Sequence, residues 1–177
     1  AGPRRFHPVP ATIAELPPLD AVLLSHDHFD HLCKASVREL AARRVPFVTS
    51  LGVGAHLEAY GVEPALITEL DWWESTTVRD VAFTATPAQH FSGRSLTGRN
   101  RTLWSSWVIA TARRRLFFSG DTGLTDEFRA IANATAYEVV ASINSNYELD
   151  WAARTVENGT RVAVFAKADT NEWLENI

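Results

Sequence analysis

An α/β fold, with helices packed on the faces of sheets, is predicted by three observations. Short apolar runs alternate along the chain with stretches whose apolar residues recur at helical spacing. Hydrophobic residues make up 46% of the 177 residues and charged residues 21%, an ordinary globular composition at a length that favours one domain, 1–177. The segments richest in His and Asp fall directly after apolar runs, and loops held by rigid strands are the usual address for chemistry.

The elements follow in order. The first 20 residues hold five prolines and read as an irregular lead-in. Ala21 to Ser25 is a short apolar run, a buried strand. Cys33 to Arg44 predicts a helix through Val37, Leu40 and Ala41. Val45 to Ser50 predicts the next strand, and Val53 to Tyr60 a short helix closed by Gly61. Val78 to Thr86 puts Val81, Phe83 and Ala85 on one strand face. Leu103 to Thr111 and Arg115 to Ser119 flank an Arg-rich turn. Leu124, Phe128, Ile131 and Ala132 mark an amphipathic helix, with Asp126 and Glu127 in its first turn. Val139 to Ile143 predicts a strand, Leu149 to Val156 a helical stripe ended by Gly159, and Arg161 to Ala166 a last strand.

Composition narrows the function classes. Disorder, collagen and coiled coil are excluded for the whole, and no run approaches the ~18 apolar residues of a membrane span. No signal-peptide pattern is visible in the sequence, which begins at Ala1. Lys and Arg number 17 against 21 Asp and Glu, a net charge of −4. That lacks the basic footprint of a duplex binder, so no nucleic-acid partner is expected. The single cysteine, Cys33, excludes an internal disulfide and a Cys-based zinc site. It is compatible with a reducing compartment, and a cytoplasmic location is expected.

The chemistry concentrates in SHDHFDH, which presents His26, Asp27, His28, Asp30 and His31 within six residues. Imidazole and carboxylate are the ligands of zinc and similar ions. In extended backbone His26 and His28 point the same way and can grip one ion. Where the chain turns into the next helix, Asp30 and His31 can face a second. A lone His, such as His90 in PAQH, is more often a structural hydrogen-bonding residue, and Asp121 in SGDTG is by itself compatible with a turn.

The H-x-H-x-D-H pattern, strand before and helix after, resembles the signature of the metallo-β-lactamase-fold hydrolases. The likeness extends to RFHP at Arg5 to Pro8, LPPLDAVLLSHDHFDHL, ITELDWWE at Ile67 to Glu74, TPAQHFSGRSLTGRNRTLWSSWVI and FFSGDTG. These resemble the branch holding the N-acyl-phosphatidylethanolamine-hydrolysing phospholipases D and the ascorbate-6-phosphate lactonase-like proteins. The similarity runs from about Pro3 to Phe128. It implies an αββα sandwich with one or two divalent ions, zinc first and manganese or iron as alternatives. His26, His28 and His90 would hold the first ion. Asp30 and His31 would belong to the second, and Asp121 would bridge both. Asp30 would also orient the nucleophile or shuttle its proton, and Asp27 would steady a ligating imidazole from behind. Arg94, Arg99 and Arg101 offer paired donors for an anionic substrate. Trp72, Trp73, Trp104 and Trp107 are expected in the core rather than in a pocket.

Two departures qualify the likeness. The family ends with one more His ligand after a late strand, whereas no His follows His90 here; Asp169 is a candidate oxygen donor in its place. From about Ala134 the tail, residues 134–177, diverges. Family members also carry leading β-hairpins that this sequence lacks, so the sandwich is expected to be incomplete. A fragment, a partner chain or second copy covering the sheet, and a rearranged fold are the alternatives. The resulting expectation is a metal-dependent hydrolase working through a metal-bound hydroxide on a phosphodiester or phosphorylated small molecule. A lactonase or β-lactamase-like ester and amide hydrolase, and an inactive metal-binding remnant, are the alternatives.

Overall fold

The computed structural model describes residues 11–95, 97–136, 139–141 and 162–164. The elements in these residues are, in order, β1 (Ala21–Leu24), α1 (Lys34–Ala42), β2 (Phe47–Ser50), α2 (Gly54–Ala59), β3 (Ile67–Leu70), β4 (Ser75–Val78), β5 (Val81–Thr86), β6 (Ser106–Ala110), β7 (Arg115–Phe118), α3 (Glu127–Thr135), β8 (Val139–Ala141) and β9 (Val162–Val164). The expected helical stripe 149–156 and Asp169 lie outside the described residues.

Two sheets form. The first is parallel, in the order β3-β2-β1-β9, with Val22 opposite Phe47 and Val48 opposite Thr68. The second runs β4-β5-β6-β7-β8 and is antiparallel except for the parallel pair of β7 and β8. Strand side chains alternate between faces, and this sorts the apolar residues into layers. Ala21, Leu23 and Val48 pack against Val81, Phe83, Ala85, Trp107, Ile109 and Phe118 between the sheets. Val22, Leu24 and Phe47 point the other way, onto Val37, Leu40 and Leu57 of α1 and α2. Val108 and Phe117 face outward onto Ile131 and Phe128 of α3. The order of layers is therefore helix, sheet, sheet, helix, the αββα arrangement. Both faces of β1 and β2 are covered from within the chain, so the bare apolar surface expected of an incomplete sheet does not occur there.

Four local expectations are corrected. The strand expected over 78–86 is a hairpin: Val78 pairs with Val81, and Arg79, at φ 54°, turns the chain between β4 and β5. β3 was not anticipated as a strand, since an edge position leaves only Leu70 fully buried. α3 starts at Glu127, which leaves Leu124 ahead of it and exposed rather than on its apolar stripe. The lead-in contains a turn of 3-10 helix, Ile13–Glu15. The Arg43 side chain fastens it by donating to the carbonyls of Ile13, Leu16 and Pro17.

Candidate metal centre

β1 lies in the first sheet, β5 and β7 in the second, and all three deliver their C-terminal ends to one edge of the sandwich. Ser25 to His31 follow β1, Pro87 to His90 follow β5, and Ser119 to Asp121 follow β7. The two sheets are tied there by hydroxyls. Ser50 Oγ donates to the carbonyl of Ser25 at 2.8 Å and contacts Ser105 Oγ at 2.9 Å, and Ser105 N donates to the same carbonyl at 2.9 Å. Gly120, at φ 54°, fits between Ser25 and Ser105, where a Cβ would stand 2.9 Å from Ser25 Cβ. That close fit aims Asp121 into the cluster.

Residues far apart in sequence converge. His26 Nε2 lies 2.9 Å from His28 Nδ1, which is 3.2 Å from His90 Nε2. On the other side of His26, His31 Nε2 lies 3.3 Å from Asp121 Oδ2, and that same oxygen is 3.8 Å from His90 Nε2. Asp30 is more peripheral and more exposed, with Oδ2 3.9 Å from His31 Nε2. The donor atoms of His26, His28 and His90 all lie within 4.8 Å of one another, and so do those of His26, His31 and Asp121.

The donor set fits a divalent cation on its own chemistry. Nitrogens bound to one tetrahedral zinc at ~2.0–2.1 Å stand about 3.3 Å apart, close to the spacings here. His31 Nε2 is buried without a hydrogen-bond partner, a costly state for a polar atom unless something else occupies its lone pair. Burial, chiefly, pushes the basicity of His26 far below its ordinary value, and the neighbouring imidazoles His31, His28 and His90 add to the effect. Burial also lowers His28 and His90, against the pull of Asp27 on the first and Asp121 on the second. Neutral imidazoles with available lone pairs result, as ligation requires.

The supporting residues include some with no signal in the sequence. Ser25 Oγ sits 2.9 Å from His26 Nδ1 and 3.5 Å from His31 Nδ1, so one hydroxyl orients two rings with their Nε2 atoms inward. Asp27, expected behind a ligating imidazole, accepts the Gly93 N–H at 2.7 Å on Oδ1, while Oδ2 lies 3.5 Å from His56 of α2. Arg94 donates to the backbone carbonyls of Asp27 and Leu32 rather than standing open to a substrate. Arg99 lies over the Phe91 ring at 4.7 Å and Arg101 is exposed. Of Trp72, Trp73, Trp104 and Trp107, only Trp107 is fully buried in the core. Trp72 and Trp104 are half-buried, and Trp73 is 45% exposed.

The model for the Beta-lactamase superfamily domain matches residues 1–170. The chain belongs to that superfamily. Its relatives include an uncharacterized protein of Mycobacterium tuberculosis, 49% identical over 131 residues, which are 73% of this chain and 35% of that protein. N-acyl-phosphatidylethanolamine-hydrolyzing phospholipase D 1 of Caenorhabditis elegans is 33% identical over 162 residues, which are 85% of this chain and 46% of that protein. The chain thus spans about a third to a half of the length of these relatives. Among solved structures, the isothiocyanate hydrolase from Delia radicum gut bacteria superposes with a TM-score of 0.58 at 20% identity, covering 79% of this chain and 57% of that one. The diiron β-hydroxylase CmlA of Streptomyces venezuelae does so with a TM-score of 0.60, also at 20% identity, covering 73% of this chain and 26% of that one. The metallo-β-lactamase fold and membership of a metallo-hydrolase superfamily follow. Among the described residues no helix is long and apolar enough to cross a membrane.

Proposed function

We propose that this chain carries the metal centre of a metal-dependent hydrolase acting on a phosphodiester or a phosphorylated small molecule. The observation that carries the reading is the convergence of His26, His28, His31, His90 and Asp121 from three strand ends, with a buried His31 Nε2 that makes no hydrogen bond although Asp121 Oδ2 stands 3.3 Å away. The phosphodiester class is favoured by the nematode relative, whose name states hydrolysis of an N-acyl-phosphatidylethanolamine.

His26, His28 and His90 would hold one ion. His31 and Asp30 would hold a second, with Asp121 between the two; zinc, manganese and iron all suit such ligands. A bound divalent ion supplies Lewis acidity at the scissile bond and makes water acidic enough to ionise near neutral pH. The protein's part is orientation and proton handling. Ser25 fixes the rings of His26 and His31, so the donor atoms face inward before any ligand arrives. Asp121 brings negative charge among the imidazoles. Asp30, at the solvent side, would take a proton from the attacking water and release it to bulk.

A panel of bis-p-nitrophenyl phosphate, an acyl-homoserine lactone and nitrocefin, offered to the metal-loaded chain, separates the substrate classes. Turnover of the phosphodiester alone is expected, and its loss in His28→Ala and Asp121→Ala. Preference for the lactone or nitrocefin would move the reading to ester or amide hydrolysis. A catalytically inactive metal binder is the second reading. Stoichiometric zinc with no turnover of any of the three would establish it.

A further inference from the structure

The ligand set depends on distant parts of the chain. Asp121 follows β7, and His90 must be brought to the loop of His26, His28 and His31 from about 60 residues further along the chain. Three hydrogen bonds make that connection. Asp27 is 2% exposed and accepts the Gly93 N–H at 2.7 Å. The Arg94 guanidinium donates to the carbonyl of Asp27 and, at 3.0 Å, to that of Leu32. Those two carbonyls bracket the segment that holds His28, Asp30 and His31 and both accept from Nη1, so one guanidinium nitrogen ties the turn to the His90 loop.

The far side of the latch is itself built. Ser92 and Asn100 exchange hydrogen bonds at 3.0 and 3.3 Å, and Ser92 Oγ donates to the carbonyl of Thr102 at 2.6 Å. Gly93 takes φ 143°, where a Cβ would lie 3.1 Å from Arg99 Cα. The guanidinium also stacks 4.1 Å from the Phe29 ring. With two carbonyls accepting from its Nη1 and the Phe29 ring on a face, Arg94 is committed to the protein.

We infer that Arg94, acting with Asp27, is a positioning residue that latches the His90 loop onto the His26–His31 loop and so sets the geometry of the candidate metal centre. This inference rests on the metal reading of the site. It also replaces the expectation that Arg94 clamps an anionic substrate. Groups that orient metal ligands from behind typically change metal affinity by ~10–100-fold when removed.

The test is zinc affinity of the metal-free chain, measured by competition with a chromophoric chelator. Arg94→Ala is expected to bind zinc roughly 10–100-fold more weakly. Arg94→Lys, which keeps the charge but loses the flat guanidinium that lies over Phe29, should be weakened several-fold and carries the test if the alanine variant does not fold. His90→Ala serves as reference and should also weaken binding. Wild-type affinity in a folded Arg94 variant, beside a weakened His90→Ala, overturns the latch and leaves the metal reading standing. Wild-type affinity with a raised KM for bis-p-nitrophenyl phosphate overturns it in favour of a substrate contact. Unchanged affinity in His90→Ala removes the metal reading, and the latch falls with it.

Discussion

Lowering the pH of the metal-free chain from 7 to 5 is expected to drain stability through His26. This ring is 1% exposed and its basicity is depressed, first by burial and then by His31, His28 and His90. The unfolded chain takes up a proton near the ordinary value of 6.5, while the folded chain does not. Stability from this group is therefore complete above about 6.5 and falls as the pH drops below it. One proton bound only by the unfolded state costs ~1.4 kcal/mol per pH unit. Between pH 6.5 and 5.0 that amounts to about 2 kcal/mol, a large share of a typical domain's ~5–15 kcal/mol. His28 and His90 act in the same direction, less strongly because water still reaches them. Urea unfolding followed by tryptophan fluorescence at half-unit pH steps, with chelator present, reads the slope. His26→Gln should flatten it by about one proton. A midpoint that is constant from pH 7 to 5, or an equal slope in His26→Gln, would refute the reasoning.

Other outcomes follow from the packing and the site. Phe83→Ala empties the contact between the sheets and should cost ~3–5 kcal/mol by urea denaturation, without altering the helical layers. Gly120→Ala forces a left-handed backbone and a 2.9 Å approach to Ser25, so a loss of at least ~1–2 kcal/mol is expected, together with weaker zinc binding as Asp121 is displaced. Calorimetric zinc titration should resolve a tight site, built on His26, His28 and His90, and a weaker one; two equally tight sites would contradict the assignment. Added EDTA should abolish turnover, and zinc should restore it.

The layered fold was legible where a strand buries both faces, as β1 does, or one face in strict alternation, as β5 does through Val81, Phe83 and Ala85. Ala21 to Leu24 and Val81 to Thr86 are buried by packing on their faces, and burial is what writes apolar pattern into sequence. β3 and the hairpin at Arg79 were not legible, because an edge strand is half wet and Val78 and Val81 read as one continuous run. The histidine loop was evident from its density of ligand types. The work of Ser25, His56 and Arg94 was hidden for a different reason. Ser25 was read only as a strand end, His56 meets Asp27 across 29 positions of chain, and Arg94 is bound to backbone carbonyls, which every residue possesses. Nothing in a linear pattern marks such partners.

That the candidate ligands come from β1 in one sheet and from β5 and β7 in the other would make a bound cation a rivet through the sandwich. A rivet resists prying: 100-fold excess over the dissociation constant would add ~2.7 kcal/mol against any opening that parts the sheets. The consequence reaches beyond chemistry, since proteolytic survival would then track zinc supply. A starved copy would be clipped at this edge first, even if its hydrophobic interior were untouched.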